Sequence, residues 1–409
     1  MTVSDHEVVV TGLGLVTPAG TDVESTWQRV CDGASTAAPD PVLAGLPVSF
    51  SCRVDDDALA AAAGPRLAWR ADRFIRLALA AAKEAARDAA LDPSTCESTR
   101  VGVLLGVSGS SQDHTTDVYA AIAAGRYRAV TPTAVPRCSP NMAAGEVARA
   151  LGVLGPTMSV STACASGTTA VGMAALLIRT GLCDMVVTGG CESACAPVGA
   201  VTFWRMGALA SGRHDPAASS RPFDADRDGF VLAEGAGVLV LERAGHARAR
   251  GARAYARLAG YGATSDAHHP TAPHPEGLGT QQAFRIALAE AGLLPSDIDH
   301  VNAHATSTLL NDRIEAAALR AVFGSPPPVT ATKSVLGHAL GGAGAIEAVC
   351  SVLSLHHQLI PPTANLDRMD PEIDLDVVTK QPRSHRMNTV ASNSSGFGGQ
   401  NAVVIFQHP

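Results

Sequence analysis

The chain has 409 residues, 46% of them apolar and 17% charged, with a net charge of −7. That length fits one large or two fused domains with an ample core. The acidic balance argues against general nucleic-acid binding, and no run of about 18 uninterrupted apolar residues stands in the sequence, so no membrane span is predicted. Nine scattered cysteines resemble no disulfide framework. A reducing, cytoplasmic setting is therefore expected, and the opening MTVSDHEVVV lacks the charged and apolar regions of a signal peptide.

Val8 to Thr11 reads as a buried strand, and the following GLGLVTPAG as a tight turn. Gly12 and Gly14 hint at a dinucleotide fingerprint, but the third glycine is missing and Pro18 stands where a helix should open. Residues 35–64 are irregular and Ala/Pro-rich. PRLAWRADRFIRLALAAAKEAARDAAL is a strong amphipathic helix with Arg66, Arg70 and Arg73 on one face. The stripe is either a solvated face or a docking surface for an acidic partner. Arg126 and Arg128 add a second basic cluster, and Arg100 to Val107 is a strand ending in a Gly/Ser-rich loop.

The stretch STACASGTTAVGMAALL follows a short strand over residues 157–160. Cys164 falls at a sharp corner, where a helix that is apolar almost all round begins. Free backbone N–H groups and the positive end of the helix dipole favour a thiolate there. A buried structural cysteine fits the same stretch equally well. Cys183 to Gly189 is another strand. Cys191 and Cys195 in CESAC lack a second Cys/His pair at zinc spacing and read as core thiols. FDADRDGFVLAE imitates a calcium loop at Asp224, Asp226 and Asp228, but Gly235 stands where the twelfth-position Glu belongs; a turn into a strand over 237–241 is predicted instead.

From Ala256 the pattern begins a second round: a strand over 256–262, a loop with His268, His269 and His274, a helix over 281–291 and a strand over 300–303. The histidine loop suits a metal in principle and reads as a polar loop. A helix from Gly344 to about His356 and a final strand pair around SNSSGFGGQNAVVIF complete the chain. Alternating buried strands and apolar helices predict α/β layers.

Two downstream stretches bear on Cys164. NAHATSTLLND puts His304 at a strand end, and TKSVLGHALGGAGAIEA puts Lys333 and His338 in a glycine-rich loop before a helix. A lone histidine is more often structural, but both lie where α/β proteins place their chemistry. NSSGFGGQN is a glycine-rich turn whose backbone N–H groups suit an oxyanion.

The motifs VVVTGLGLVTPAG, STACASG, SRPFDADRDGFVLAEGAG, VNAHATST, TKSVLGHALGGAGAIEA and NSSGFGGQNA, in this order and spacing, resemble the β-ketoacyl-[acyl-carrier-protein] synthases of the elongating KAS I/II type. Ketosynthases of type II polyketide systems share the pattern. The resemblance covers nearly the whole chain. It implies the thiolase fold: two similar halves in a layered αβαβα arrangement, residues 1–250 carrying the cysteine and 251–409 the two histidines. The activity implied is that of an acyltransferase, a decarboxylative Claisen condensation of malonyl-carrier protein with an acyl chain held on Cys164.

By that resemblance Cys164 is the nucleophile, and the N–H groups of Cys164 and Phe397 form the oxyanion hole, with Phe397 also the gate. His304 and His338 bind the malonyl thioester carbonyl, and Lys333 tunes their charge. Thr306 and Thr308 line the pantetheine tunnel. Glu347, Asn302 and Asn393 are structural or hold a monovalent cation. No metal and no bound cofactor are required, because substrates arrive on the phosphopantetheine arm of acyl carrier protein. Arg66, Arg70, Arg126 and Arg128 are expected to dock that acidic carrier. The expected assembly is a homodimer, or a heterodimer with a homologous chain-length-factor subunit.

Departures from the family pattern point to the substrate. Gly109 and Ala134 fall where bulky acyl-pocket residues are common, which with Phe203 implies a longer or wider pocket unless a neighbour such as Trp204 refills it. Ser395 replaces a phenylalanine beside the gate, and Leu309, Leu310 and Asn311 replace small residues. These changes favour a polyketide-type ketosynthase over a housekeeping fatty-acid enzyme. A non-catalytic chain-length subunit would lack Cys164, a thiolase would carry a second cysteine beyond Cys350, and a cysteine hydrolase would need a base that activates water.

Overall fold

The computed structural model describes residues 7–64, 71–109, 111–213 and 215–409. Ten strands build the main sheet: β1 Val8–Val16, β2 Val101–Gly106, β3 Thr157–Val160, β4 Met185–Ser193, β5 Glu234–Arg243, β6 Ala256–Ser265, β7 His300–Asn302, β8 Val329–Thr330, β9 Thr389–Gly396 and β10 Gln400–Gln407. Their order is β8-β7-β9-β10-β6-β1-β5-β4-β2-β3. Counted within each half, both runs read third, second, fourth, fifth, first. The halves meet where Val8–Val10 of β1 pair antiparallel with Ala256–Leu258 of β6.

Among the helices around the two halves of this sheet are α1 Arg73–Asp88, α2 Asn141–Leu151, α3 Ser166–Arg179, α4 Pro197–Arg205, α5 Leu278–Ala291, α6 Leu309–Phe323 and α7 Ala343–His357. α1 and α2 pack on the first sheet, and α5, with α6 against it, on the second. α3 and α7 contact each other and strands of both sheets, which gives the αβαβα layering. Burial explains their composition: in α7 every residue from Ala343 to Leu355 is buried, so no polar stripe exists on it.

The structure corrects three local expectations. Gly12 and Gly14 lie inside strand β1 rather than in a turn. A Cβ on Gly12 would stand 2.2 Å from Ala85 O, and one on Gly14 2.0 Å from Ala81 O, so the glycines let α1 lie directly on the strand. The excursion over 35–64 contains a short strand pair and a helix, Asp56–Ala63. Helix α1 begins only at Arg73. Arg73 faces inward, where it pairs with Asp56 and with Glu234 at 2.6 Å, so it belongs to no solvated basic face. Arg66 and Arg70 lie outside the described residues.

Candidate active site

Cys164 occupies the corner between β3 and α3. Ala163 adopts a left-handed φ of 48°, which turns the chain sharply. Ser166 fixes the corner by accepting from Thr162 N at 2.9 Å and donating to Ala163 O at 2.6 Å. Against this corner lies the β9–β10 turn, where Gly398 and Gly399 take φ values of 85° and 74° that favour glycine. The backbone amides of Phe397 and of Cys164 itself lie near enough to the Cys164 sulfur to favour its charged form. Burial pushes the thiol up to about 11, against the pull of Lys333 and of those N–H donors. The dipole argument of the sequence is thus outweighed, and the resting group is a neutral thiol.

His304 follows β7. Its backbone N–H and that of Ala305 both donate to the Glu315 carboxylate at 2.7 Å, and Asn393 Nδ2 donates to the same carboxylate at 2.6 Å. Ala305 and Ser307 carry positive φ values of 23° and 68°, so this loop is a strained cradle held by one buried acid. His338 is fixed by backbone bonds, donating to Val231 O at 2.8 Å and accepting from Ala233 N at 3.1 Å. The two imidazoles stand edge to face with centroids 5.5 Å apart. Burial and the Lys333 ammonium hold both well below their ordinary value, and for His304 the second ring adds to the effect. Both rings are therefore neutral.

Lys333 lies behind them. Its Nζ is 3.4 Å from His304 Nδ1 and pairs with Glu347. Burial pushes the Glu347 carboxyl up, and the ammonium pulls it back.

Cys164, His304 and His338 open onto one cavity of about 350 Å³, which Thr306, Thr308, Phe203 and Phe397 also line. Thr306 and Thr308 share a hydroxyl contact of 3.0 Å. Phe203 stands 6.3 Å from Phe397 and 5.4 Å from Phe230, which itself packs edge-on against His338. The cavity is thus lined mostly by apolar surface, onto which the cysteine and the two histidines open.

Other expected residues fall elsewhere. Gly109 and Ala134 do not line this cavity: the Gly109 amide is turned onto Glu192 at 2.8 Å, and Ala134 starts a short helix, Ala134–Cys138. Trp204 is 41% exposed and does not line this cavity. Arg126 and Arg128 are exposed, the first preceding the turn Tyr127–Ala129 and the second within it. Asn302 donates to the Glu347 carbonyl at 3.2 Å. Its side-chain oxygen, that of Asn393, Glu347 Oε2 and Ser392 Oγ are each buried without a hydrogen-bond partner, and oxygens of these kinds are what hard cations take. Among the described residues no group of three or more His, Cys, Asp or Glu side chains is arranged to hold a metal ion, which covers CESAC and the aspartates of the calcium-like stretch. Asp224 instead accepts from the backbone N–H groups of Asp226, Asp367 and Arg368.

Sequence reasoning missed Glu315 and Glu192. The available signal was an acid set between apolar residues, Ile314 and Ala316 for the first, on a helix whose buried face carries Ile314, Ala316, Ala318 and Leu319 beside a second acid, Asp312.

Family models for the N-terminal and C-terminal domains of β-ketoacyl synthase match residues 5–247 and 255–367. The chain belongs to the β-ketoacyl synthase family. It is 41% identical over 417 residues to a putative polyketide β-ketoacyl synthase 1 of Streptomyces cyaneus, covering 99% of this chain and 98% of that one. It is 38% identical over 415 residues to 3-oxoacyl-[acyl-carrier-protein] synthase 2 of Staphylococcus aureus, covering 98% of each. Among solved structures it superposes on the ishigamide ketosynthase/chain length factor with a TM-score of 0.92 at 35% identity, over 98% of this chain and 99% of that one. A type II PKS ketosynthase in complex with its acyl-carrier protein matches with a TM-score of 0.91 at 32% identity, over the same shares. The ketosynthase is an acyltransferase with the thiolase fold expected from its motifs. No described helix is long and apolar enough to cross a membrane.

Proposed function

We propose that this ketosynthase extends a polyketide-type acyl chain in two steps at one cavity. The observation that carries the reading is the convergence of one cysteine and two neutral histidines on a single apolar sleeve. In the first step the Cys164 sulfur attacks the acyl thioester. The new S–C bond forms, the bond to the pantetheine sulfur breaks, and the Cys164 proton passes to that leaving sulfur. The Cys164 and Phe397 N–H groups, which lie beside the sulfur, receive the oxyanion. In the second step malonyl-carrier enters and His304 and His338 donate to its thioester carbonyl. CO₂ leaves, its bonding pair becomes the enolate, and the enolate carbon attacks the acyl-Cys164 carbonyl and expels the thiolate. Two neutral donors suit a developing enolate, so the step as proposed asks for no further cofactor or metal Lewis acid.

Thr306 and Thr308 then serve the pantetheine arm and Phe397 the gate. The unpartnered oxygens of Asn302, Asn393 and Glu347 suit a monovalent cation in a structural role. Residues 1–250 form the half that supplies the nucleophile and 251–409 the half that supplies the histidines. Arg126 and Arg128, with Arg66 and Arg70, are assigned to the acidic carrier. The edge strand β3 is uncovered, and Met158, Met173 and Leu176 near it are about 40% exposed, which suits a partner of the same fold, either a second copy or a homologous chain-length subunit. The working compartment is the cytoplasm, in keeping with nine unpaired thiols. The polyketide reading is favoured by the 41% relative and by the ketosynthase/chain length factor likeness; the 38% relative keeps fatty-acid elongation as the second reading.

The test is a product assay with an acyl thioester and malonyl-carrier protein. A β-ketoacyl product with matching CO₂ release is expected. Free acid without carbon–carbon bond formation would replace the reading with a hydrolase.

A further inference from the structure

Glu192 stands near the end of strand β4 with its side chain buried, and it takes no part in the transfer or condensation chemistry. Its carboxylate holds the loop that follows β2. Oε2 accepts from Ser108 N at 2.9 Å, from Gly109 N at 2.8 Å and from the Ser108 hydroxyl. The Ser108 oxygen in turn accepts from Gly341 N at 3.2 Å. A carboxylate at the end of such a chain strengthens each bond in it.

The far end of the chain lies at the active site. Gly341 belongs to the turn Leu340–Gly342, between His338 and the start of α7. Leu340 takes a left-handed φ of 43° and lines the cysteine cavity. A leucine keeps such a backbone only where its surroundings enforce it. Those surroundings are tight. A Cβ on Gly341 would stand 2.6 Å from Ser108 N, and one on Gly167, in the first turn of α3, would stand 3.1 Å from Gly341 O. The turn is thus wedged between the loop that Glu192 holds and the helix that Cys164 precedes. On its other side His338 is fixed by its backbone bonds to Val231 and Ala233.

We propose that Glu192 is a positioning residue for the condensation: through Ser108 it holds the Leu340–Gly342 turn and so sets His338 against Cys164. This rests on the ketosynthase reading above. Glu192 touches no reacting atom in this role. Its charge has a second effect, which makes the role measurable: it pushes the Cys164 thiol up, against the pull of Lys333. The hydrogen-bonded chain and the charge can be removed separately.

The test uses Ser108→Ala, which breaks the chain to Gly341 and keeps the charge, and Glu192→Gln, which removes the charge and weakens the chain. The substrates are malonyl and acyl thioesters of N-acetylcysteamine. In Ser108→Ala, kcat for CO₂ release from the malonyl thioester should fall between about tenfold and about a hundredfold, with KM within roughly threefold. Acyl transfer to Cys164 should stay within roughly twofold, and the pH profile of Cys164 alkylation should not move. In Glu192→Gln, CO₂ release should fall in the same range, and the alkylation profile should move to lower pH. Unaltered CO₂ release in Ser108→Ala would overturn the positioning role. Equal losses of acyl transfer and CO₂ release would overturn it too, since they would mark a general loosening of the fold. An unmoved alkylation profile in folded Glu192→Gln would contradict the placement of its charge near the sulfur; should that variant not fold, Ser108→Ala decides. If the unaltered enzyme neither releases CO₂ nor condenses, the ketosynthase reading itself fails.

Discussion

Lys333 Nζ stands 3.4 Å from His304 Nδ1. An ammonium has donors and no acceptor, so Nδ1 of His304 must accept and its proton must sit on Nε2. The same ammonium, together with burial, keeps the ring from protonating. One side chain therefore sets both the charge and the tautomer of the imidazole that faces the cavity.

Lys333→Ala should lower malonyl decarboxylation by about a hundredfold, the scale of losing an oriented donor. Acylation of Cys164 should fall less, because Lys333 acts on that sulfur only through space. Separate single-turnover measurements of the two half-reactions check this. Equal losses in both would remove the positioning role.

His304→Ala and His338→Ala should each leave acyl transfer to Cys164 measurable while reducing decarboxylation by about 10² to 10³. Release of labelled CO₂ from malonyl thioester is the readout. An unaltered rate in either variant would take that histidine out of the carbonyl site.

The two groups should also separate by pH. With the thiol raised to about 11, its thiolate fraction grows about tenfold per pH unit below that value, so alkylation by iodoacetamide should climb steeply from about pH 7 to about pH 9. Decarboxylation should be flat from about pH 6 to about pH 8, because both imidazoles stay neutral there.

Glu315→Gln should impair decarboxylation and cost about 1–3 kcal/mol of stability. A glutamine offers one oxygen where the carboxylate accepts from His304 N, Ala305 N and Asn393, and it turns an N–H₂ toward donors. Urea denaturation alongside activity measures both effects. Unchanged stability with unchanged decarboxylation would show that the loop holds its shape without this acid.

His300 gives a stability prediction. It is fully buried, neither ring nitrogen has a partner among the described residues, and burial lowers it from 6.5 to about 3. The unfolded chain binds its proton first as pH falls. The group therefore costs nothing above its unfolded value and removes about 1.4 kcal/mol per pH unit between there and the folded value. His300→Leu should flatten the acid limb of the stability profile by that slope, and an unchanged limb would show that His300 titrates normally in the folded chain.

The elements that build the site were largely legible in the sequence. The helix behind Cys164, the strands before His304 and before Phe397, and the two histidines all carry local signals, namely small residues at a corner or a strand running into Gly, Ser and Thr. What stayed hidden depends on contacts between distant segments. Gly12 reads as a turn residue until α1 is laid against it. Arg73 reads as surface until Glu234, far along the chain, is seen beside it. The thiol reads as activated by a helix dipole because burial, the larger effect, is a property of the assembled layers. Glu315 stands out as an acid between Ile314 and Ala316, but its role shows only once the backbone N–H groups that it faces are in place.

The most direct measurement is the intact mass of the protein after incubation with an acyl thioester, followed by peptide mapping. A mass increase of one acyl group, located on Cys164 and absent in Cys164→Ala, is expected. A folded protein that takes up no acyl group, or carries it on another residue, would contradict the assignment of Cys164 as the nucleophile.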